Sequence, residues 1–96
     1  MPSPSTPLAT SLAVLAALLD GWATQPELAE RVWPRPDDAN RRAVGRHIDK
    51  IRGAGLPLEQ RLRRYRVTKA AYEYRMTLGA FQAWAREAKG RGIAEL

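Results

Sequence analysis

The sequence predicts a mainly α domain with a small β-hairpin. Apolar residues recur at three- and four-residue spacing in three early segments, Pro, Gly and Asp punctuate those segments, and a dense basic stretch with strand-like alternation follows the third. Ninety-six residues fit one domain, and 45% hydrophobic content with three Trp, three Tyr and one Phe suffices for one modest core.

Met1 to Pro7, MPSPSTP, is polar and reads as a flexible tail over residues 1–7. Leu8, Leu12, Leu15, Leu18 and Leu19 then keep helical spacing until Asp20-Gly21, with Thr6 or Thr10 as cap, and form a first helix. In TQPELAERVW, Thr24 and Glu27 have capping-box spacing, and Pro26 falls in the first turn, where its missing N–H costs nothing. Leu28, Val32 and Trp33 supply the buried stripe of this second helix, with Trp33 read as a plug between helices two and three. PRPDD breaks the chain, and Asp37 or Asp38 can cap a third helix from about Asp38 to Gly53 or Ala54. Val44, Ile48 and Ile51 share one face of it; Arg42, Arg46, Asp49 and Lys50 project from the other. Gly45 permits close approach there, at a cost of up to ~1 kcal/mol of helix stability.

Gly53 or Gly55 suits the left-handed position that ends this helix. LPLEQRLRRYRVT then reads as a short hairpin: Leu56 to Glu59, a tip at Gln60 to Arg63, and a return strand at Arg64 to Val67 with Tyr65 and Val67 turned inward. Thr68 would cap a C-terminal helix, residues 68–96, carrying Ala71, Tyr74, Leu78, Phe81, Ala85 and Ala88 on one stripe. A second helix start at Thr77 is open because Gly79 could split it. The competing reading is a longer hairpin turning at Lys69-Ala70, which sets Arg66 against Glu73 and Arg64 against Arg75. Lys-Ala-Ala is poor turn and good helix chemistry, so the helix is the expectation.

Charge is distributed unevenly. Asn40 to Lys69 holds ten of the sixteen basic residues against two of the ten acids, leaving six basic against eight acidic residues elsewhere. A local excess of this kind favours a polyanionic partner. The chain has no cysteine and one histidine, His47, so disulfides and thiolate chemistry are excluded and metal ligands are scarce. It shows no Gly-rich phosphate loop, triad or acidic cluster, so no enzyme, metal site or cofactor is expected. The longest apolar run, Leu12 to Leu19, is eight residues. That is far short of the ~20 that span a bilayer, so the expectation is a cytoplasmic protein with no membrane partner.

Helix, helix, helix, basic hairpin is the order of a winged helix-turn-helix. LAERVWP, NRRAVGRHIDKIR and RYRV resemble the pattern of OmpR/PhoB-type winged-helix domains. Those domains end helix two in Val-Trp, carry Arg-Thr-Val-x-x-His-Ile-x-x-Leu-Arg on helix three and close the wing with Gly-Tyr-Arg-Leu. Val32-Trp33 match the first element; Arg42, Val44, His47, Ile48, Ile51 and Arg52 the second; Tyr65, Arg66 and Val67 the third. The resemblance covers about Leu8 to Val67 and implies a winged helix-turn-helix over residues 8–67 followed by a C-terminal helix. It further implies that Arg42, His47, Lys50 and Arg52 face DNA and that Arg63 or Arg64 enters the minor groove. The 96 residues hold no receiver domain and no four-stranded sheet ahead of helix one, and Asp49 stands where the family often has a polar or basic residue. AGLPLE…RYRVTKAA is equally similar to other bacterial and phage winged helices.

The expected DNA-binding set is Arg41, Arg42, Arg46, His47, Lys50, Arg52, Arg61, Arg63, Arg64 and Arg66, with Arg61 and Arg63 at the hairpin tip. His47, at the edge of the apolar stripe, reads equally as a core-boundary residue or a phosphate contact, and Asp49 as a partner of Arg46 or a cytosine reader. The functional expectation is sequence-specific binding of double-stranded DNA by a small transcription regulator. Two alternatives stand beside it: a phage excisionase-like protein that bends DNA, and a winged helix that docks on an acidic protein surface. The stripe at residues 71–88 reads either as packing against helix one or as a homodimer seam.

Overall fold

The computed structural model describes residues 6–88, so the calls on the first five residues of the tail and on 89–96 lie outside the described residues. Its elements are α1 (Pro7–Leu19), β1 (Ala23–Thr24), α2 (Gln25–Val32), α3 (Asp38–Gly53), β2 (Glu59–Arg66), β3 (Lys69–Arg75) and α4 (Leu78–Ala88). Four helices thus accompany a three-stranded antiparallel sheet of order β1-β3-β2, a helix-plus-hairpin arrangement.

The helix ends follow from local chemistry. Thr6 Oγ1 accepts from the Ala9 N–H at 3.0 Å, and Pro7 occupies the first turn of α1. Thr24 and Glu27 form the capping box of α2, while Asp37 and Asn40 form the equivalent pair at the start of α3. At the far end of α3 the Leu56 N–H reaches the Ile51 carbonyl and the Gly55 N–H reaches that of Arg52, with Gly55 at φ +85°. This is a Schellman motif, and its apolar pair, Ile51 and Leu56, is buried. Arg31 closes the end of α1 by donating to the Ala17 and Gly21 carbonyls at 2.9 and 3.1 Å.

The three packed helices α1, α2 and α3 enclose Val14, Leu18, Leu28, Val44 and Ile51 completely, and Trp33 lies partly buried against this core, as its position after Val32 suggests. Helices α2 and α3 meet closely at Gly45. A methyl group there would lie 2.6 Å from Gln25 Nε2, which donates to the Arg41 carbonyl at 2.8 Å. Ile48 and Ile51 complete the apolar half of α3, leaving its opposite half to solvent.

The hairpin corrects the sequence reading. Strand β2 runs unbroken through the segment expected to be a tip, and the turn is Val67-Thr68. Residues 69–75, expected to open the C-terminal helix, form β3, so the boundary drawn between residues 67 and 68 falls inside the turn. The longer hairpin is closer to the structure, but its turn at Lys69-Ala70 lies two residues later than the observed one. Arg61 faces Glu73, Leu62 faces Tyr72, Gln60 faces Tyr74 and Glu59 faces Arg75, which removes the clash of Arg64 with Arg75. The helix preference of Lys-Ala-Ala amounts to tenths of a kcal/mol per residue. Here β3 is paired on both sides, buries Glu73 and leads into the core residue Met76, and these contacts outweigh it. Tyr65 and Val67 are exposed, not inward. Helix α4 starts at Leu78, where Thr77 Oγ1 accepts from the Ala80 N–H, and turns Phe81 and Trp84 onto the core. The stripe over 71–88 is therefore part strand and part helix. Strand β1 is two residues long, too short for any periodicity to reveal.

A methyl at Gly55 would meet nothing nearer than Trp84 Nε1 at 3.9 Å, so the cost of Gly55→Ala is conformational. A left-handed alanine costs about 1–2 kcal/mol. Thermal unfolding by circular dichroism should show a melting temperature lower by roughly 4–8 °C for each kcal/mol in a domain of this size.

Candidate nucleic-acid interface

The ten basic residues of Asn40 to Lys69 divide into two groups. Four are held by protein acceptors. Arg41 pairs with Asp38 at 2.7 Å, one turn back on α3. Arg52 donates to Gln60 Oε1 at 2.7 Å and lies 3.7 Å from Asp49, so Asp49 pairs with Arg52 and not with Arg46. Arg61 and Arg63 both bind Glu73, at 3.0 and 3.2 Å. The other six, Arg42, Arg46 and Lys50 on α3 and Arg64, Arg66 and Lys69 on the hairpin, are exposed, and their side chains make no hydrogen bond or ion pair among the described residues.

Glu73 explains the division on the hairpin. Its side chain is 3% exposed, and strand alternation places it on the same sheet face as Arg61 and Arg63. A carboxylate withdrawn from water needs charged hydrogen-bond donors, and these two guanidinium groups supply them. Arg61 also stacks over the Trp22 ring at 4.1 Å, as does Arg75 at 4.5 Å, while Arg63 covers Tyr65 at 4.6 Å. Arg61 and Arg63 are thus mid-strand and engaged, not free at a tip. The sequence reading missed Trp22 as a stacking platform and Glu73 as a buried acid. Alternation within KAAYEYR sets Tyr72 and Tyr74 on the face opposite Glu73 and would turn the acid outward, so only its non-local pairing with Arg61 and Arg63 accounts for its burial.

On α3, Arg42, Arg46 and Lys50 recur every four residues and stand one above another on the outward face. Small residues, Ala39 and Gly53, lie on the exposed side of the same helix and leave its surface open to close approach. Arg52 links the last turn of α3 to β2, tying helix and hairpin together at the hairpin's base. Beyond that base, an open cleft of about 460 Å³ lies between the start of α2 and the hairpin, lined by Thr24, Pro26, Tyr65, Arg66, Lys69 and Ala71. Lys69, opposite Arg66 across the turn, was not among the expected site residues.

His47 leaves the expected set. It is 8% exposed, and its Nδ1 lies 2.7 Å from Ser11 Oγ, itself fully buried on α1. The ring serves the α1–α3 interface. Burial, with Lys50 and Arg46 nearby, holds its pKa below the ordinary 6.5. At the start of α2 the Thr24 N–H and hydroxyl both donate to Glu27 and keep its carboxyl below the usual 4.5.

Among the described residues no group of three or more His, Cys, Asp or Glu side chains could hold a metal ion, and no helix is long and apolar enough to cross a membrane. No family model, curated protein or solved structure matches the chain.

Two expectations follow. Glu73→Gln removes two charge-assisted bonds but leaves both arginines able to reach water, and should cost about 1–3 kcal/mol. Arg61→Ala with Arg63→Ala leaves the acid buried and unpaired and should cost more, so urea midpoints should fall in the order wild type, Glu73→Gln, double variant. For His47, the folded state resists protonation while the unfolded chain accepts a proton near pH 6.5, so this group lowers stability as pH falls below about 6.5 and adds nothing above it. Glu27 acts in a separate window, since its contribution is present above about 4.5 and lost as pH falls through its depressed value. Urea midpoints at pH 7.5 and about 5.5 should therefore differ for the wild type, and the difference should shrink in His47→Asn.

Proposed function

We propose that the chain binds double-stranded DNA as a winged helix-turn-helix, with α3 in the major groove and the β2–β3 hairpin as a wing on the backbone or minor groove. The observation that carries this reading is the sorting of the cations. Where the fold needs a positive charge it supplies an acceptor of its own, yet six cations on two elements joined by Arg52 and Gln60 are left to an outside partner. An α-helix about 10–12 Å across fits a major groove ≈ 12 Å wide. The forked guanidinium groups of Arg42 and Arg46 suit a guanine edge or two phosphates, and Lys50 suits a phosphate. Arg64, Arg66 and Lys69 suit the backbone or a narrow minor groove. A helix reading bases and a wing gripping the backbone make a small transcription regulator the biological role that fits best. The resemblance in LAERVWP, NRRAVGRHIDKIR and RYRV points the same way, with His47 and Ile51 assigned to packing and Arg42 and Lys50 to the duplex.

Mobility shifts on duplex DNA at two salt concentrations test this. Six neutralised phosphates correspond to a fall in log K of roughly 5 per decade of salt. Arg42→Ala with Arg46→Ala should weaken binding and reduce that slope by about 2 if both contact phosphate, without lowering thermal stability. Binding that ignores salt, or a double variant that binds as the wild type does, would falsify the reading.

A further inference from the structure

Val67 stands further into solvent than any other large apolar side chain described: it is 95% exposed, whereas the next, Leu78, is 57% exposed. With Thr68 it forms the two-residue turn between the cross-strand partners Arg66 and Lys69. All eight residues of β2 are exposed, so the strand leading to this turn projects from the body of the protein. Arg64, Arg66 and Lys69, the cations nearest the tip, have no protein partner among the described residues. A compact β-branched side chain is thus presented at the end of an arm and ringed by positive charge.

We propose that Val67 is a wedge, entering between adjacent base pairs from the minor groove and kinking the duplex. This rests on the DNA-binding reading and adds an architectural action to it. Each part of the tip has a physical counterpart in such a complex. The flanking cations are drawn to the negative potential of a narrow groove and hold the backbones on either side. The isopropyl group, held in few rotamers, is the part that leaves water for the space between base faces. Apolar side chains inserted in this way unstack a step and bend DNA toward the major groove by roughly 20–90°. Pyrimidine–purine steps yield most easily, so the wedge would also favour sites with such a step under the wing.

The experiment uses a duplex of about 30 base pairs carrying a fluorophore at each end, with 2-aminopurine at a central TA step, titrated with wild-type protein and with Val67→Ser. Wild-type protein should shorten the end-to-end distance and brighten the 2-aminopurine. Val67→Ser, exposed and in a turn, keeps the fold, as circular dichroism will show. It should bind within about threefold of wild type with the same salt dependence and leave the duplex straight. A bound duplex that stays straight with the wild type, or bends equally with Val67→Ser, overturns the wedge and leaves the binding reading standing. No binding to the duplex at any salt concentration overturns both. Retention on phosphatidylserine vesicles that Val67→Ser abolishes, together with an unbent duplex, assigns the tip to a lipid surface and likewise overturns the wedge.

Discussion

Burying the Glu73 carboxylate in the central strand of the sheet obliges the neighbouring strands to satisfy it. On one side it is paired in register with Thr24 of β1, and on the other with Arg61 of β2. Because side chains alternate along a strand, Arg61 and Arg63 can both reach Glu73 in one register, and a slip of one residue would turn Leu62 and Arg64 to it instead. The acid thereby fixes which residues face which way from Glu59 to Arg64, beyond which an irregularity at Tyr65 shifts the register by one residue before the turn. It also decides which arginines are held near the base and which remain at the distal end.

That division gives the charge cluster its meaning. Self-repulsion among ten cations in thirty residues would oppose folding unless the charges were screened, paired or spread apart. The fold pairs four of them with Asp38, Asp49, Gln60 and Glu73 and spreads the remaining six over a helix face and the far half of the hairpin. Surface pairs such as Arg41 with Asp38 contribute little to stability, but they remove a cation from the set that faces outward. What is left is a smaller and better placed group than composition suggests.

The helical half of the domain was legible because its signals are local. Thr24 and Glu27, Asp37, and the glycines after Ile51 act within four residues of themselves, so spacing alone locates α2 and α3 to within a residue. Val44, Ile48 and Ile51 announce their face by periodicity. The hairpin depends on pairings twelve residues apart, such as Arg61 with Glu73, and no local pattern ranks one register over another. The three- and four-residue spacing through Ala71, Tyr74, Leu78 and Phe81 was real but crossed from a strand into a helix at Thr77. His47 shows the same limit. Its place on the edge of a helical stripe left it between core and surface, and Ser11, thirty-six residues away on α1, decided for the core. For the candidate site, the α3 cations could be named from periodicity, whereas Arg61 and Arg63 could be removed from the free set only once their acid partner was found.

The two basic surfaces differ in how firmly they are held, and that difference bears on what each can do. Helix α3 is anchored along its length by Val44, Ile48 and Ile51, by the His47 contact to Ser11 and by the close approach of Gln25 at Gly45. Its outward cations therefore start from fixed positions and give up little freedom on meeting a partner, which favours discrimination between closely similar surfaces. The hairpin is fixed near its base, where Glu59 pairs with Arg75, Gln60 accepts from Arg52 and Arg61 is bound to Glu73; past Arg63 its side chains are exposed on both faces. The distal half of the hairpin therefore has fewer side-chain contacts to fix it than α3 has. The acids that fix the hairpin, Glu59 and Glu73, act on its base, so a partner that met both surfaces would find α3 held along its length and the hairpin tip with fewer contacts behind it.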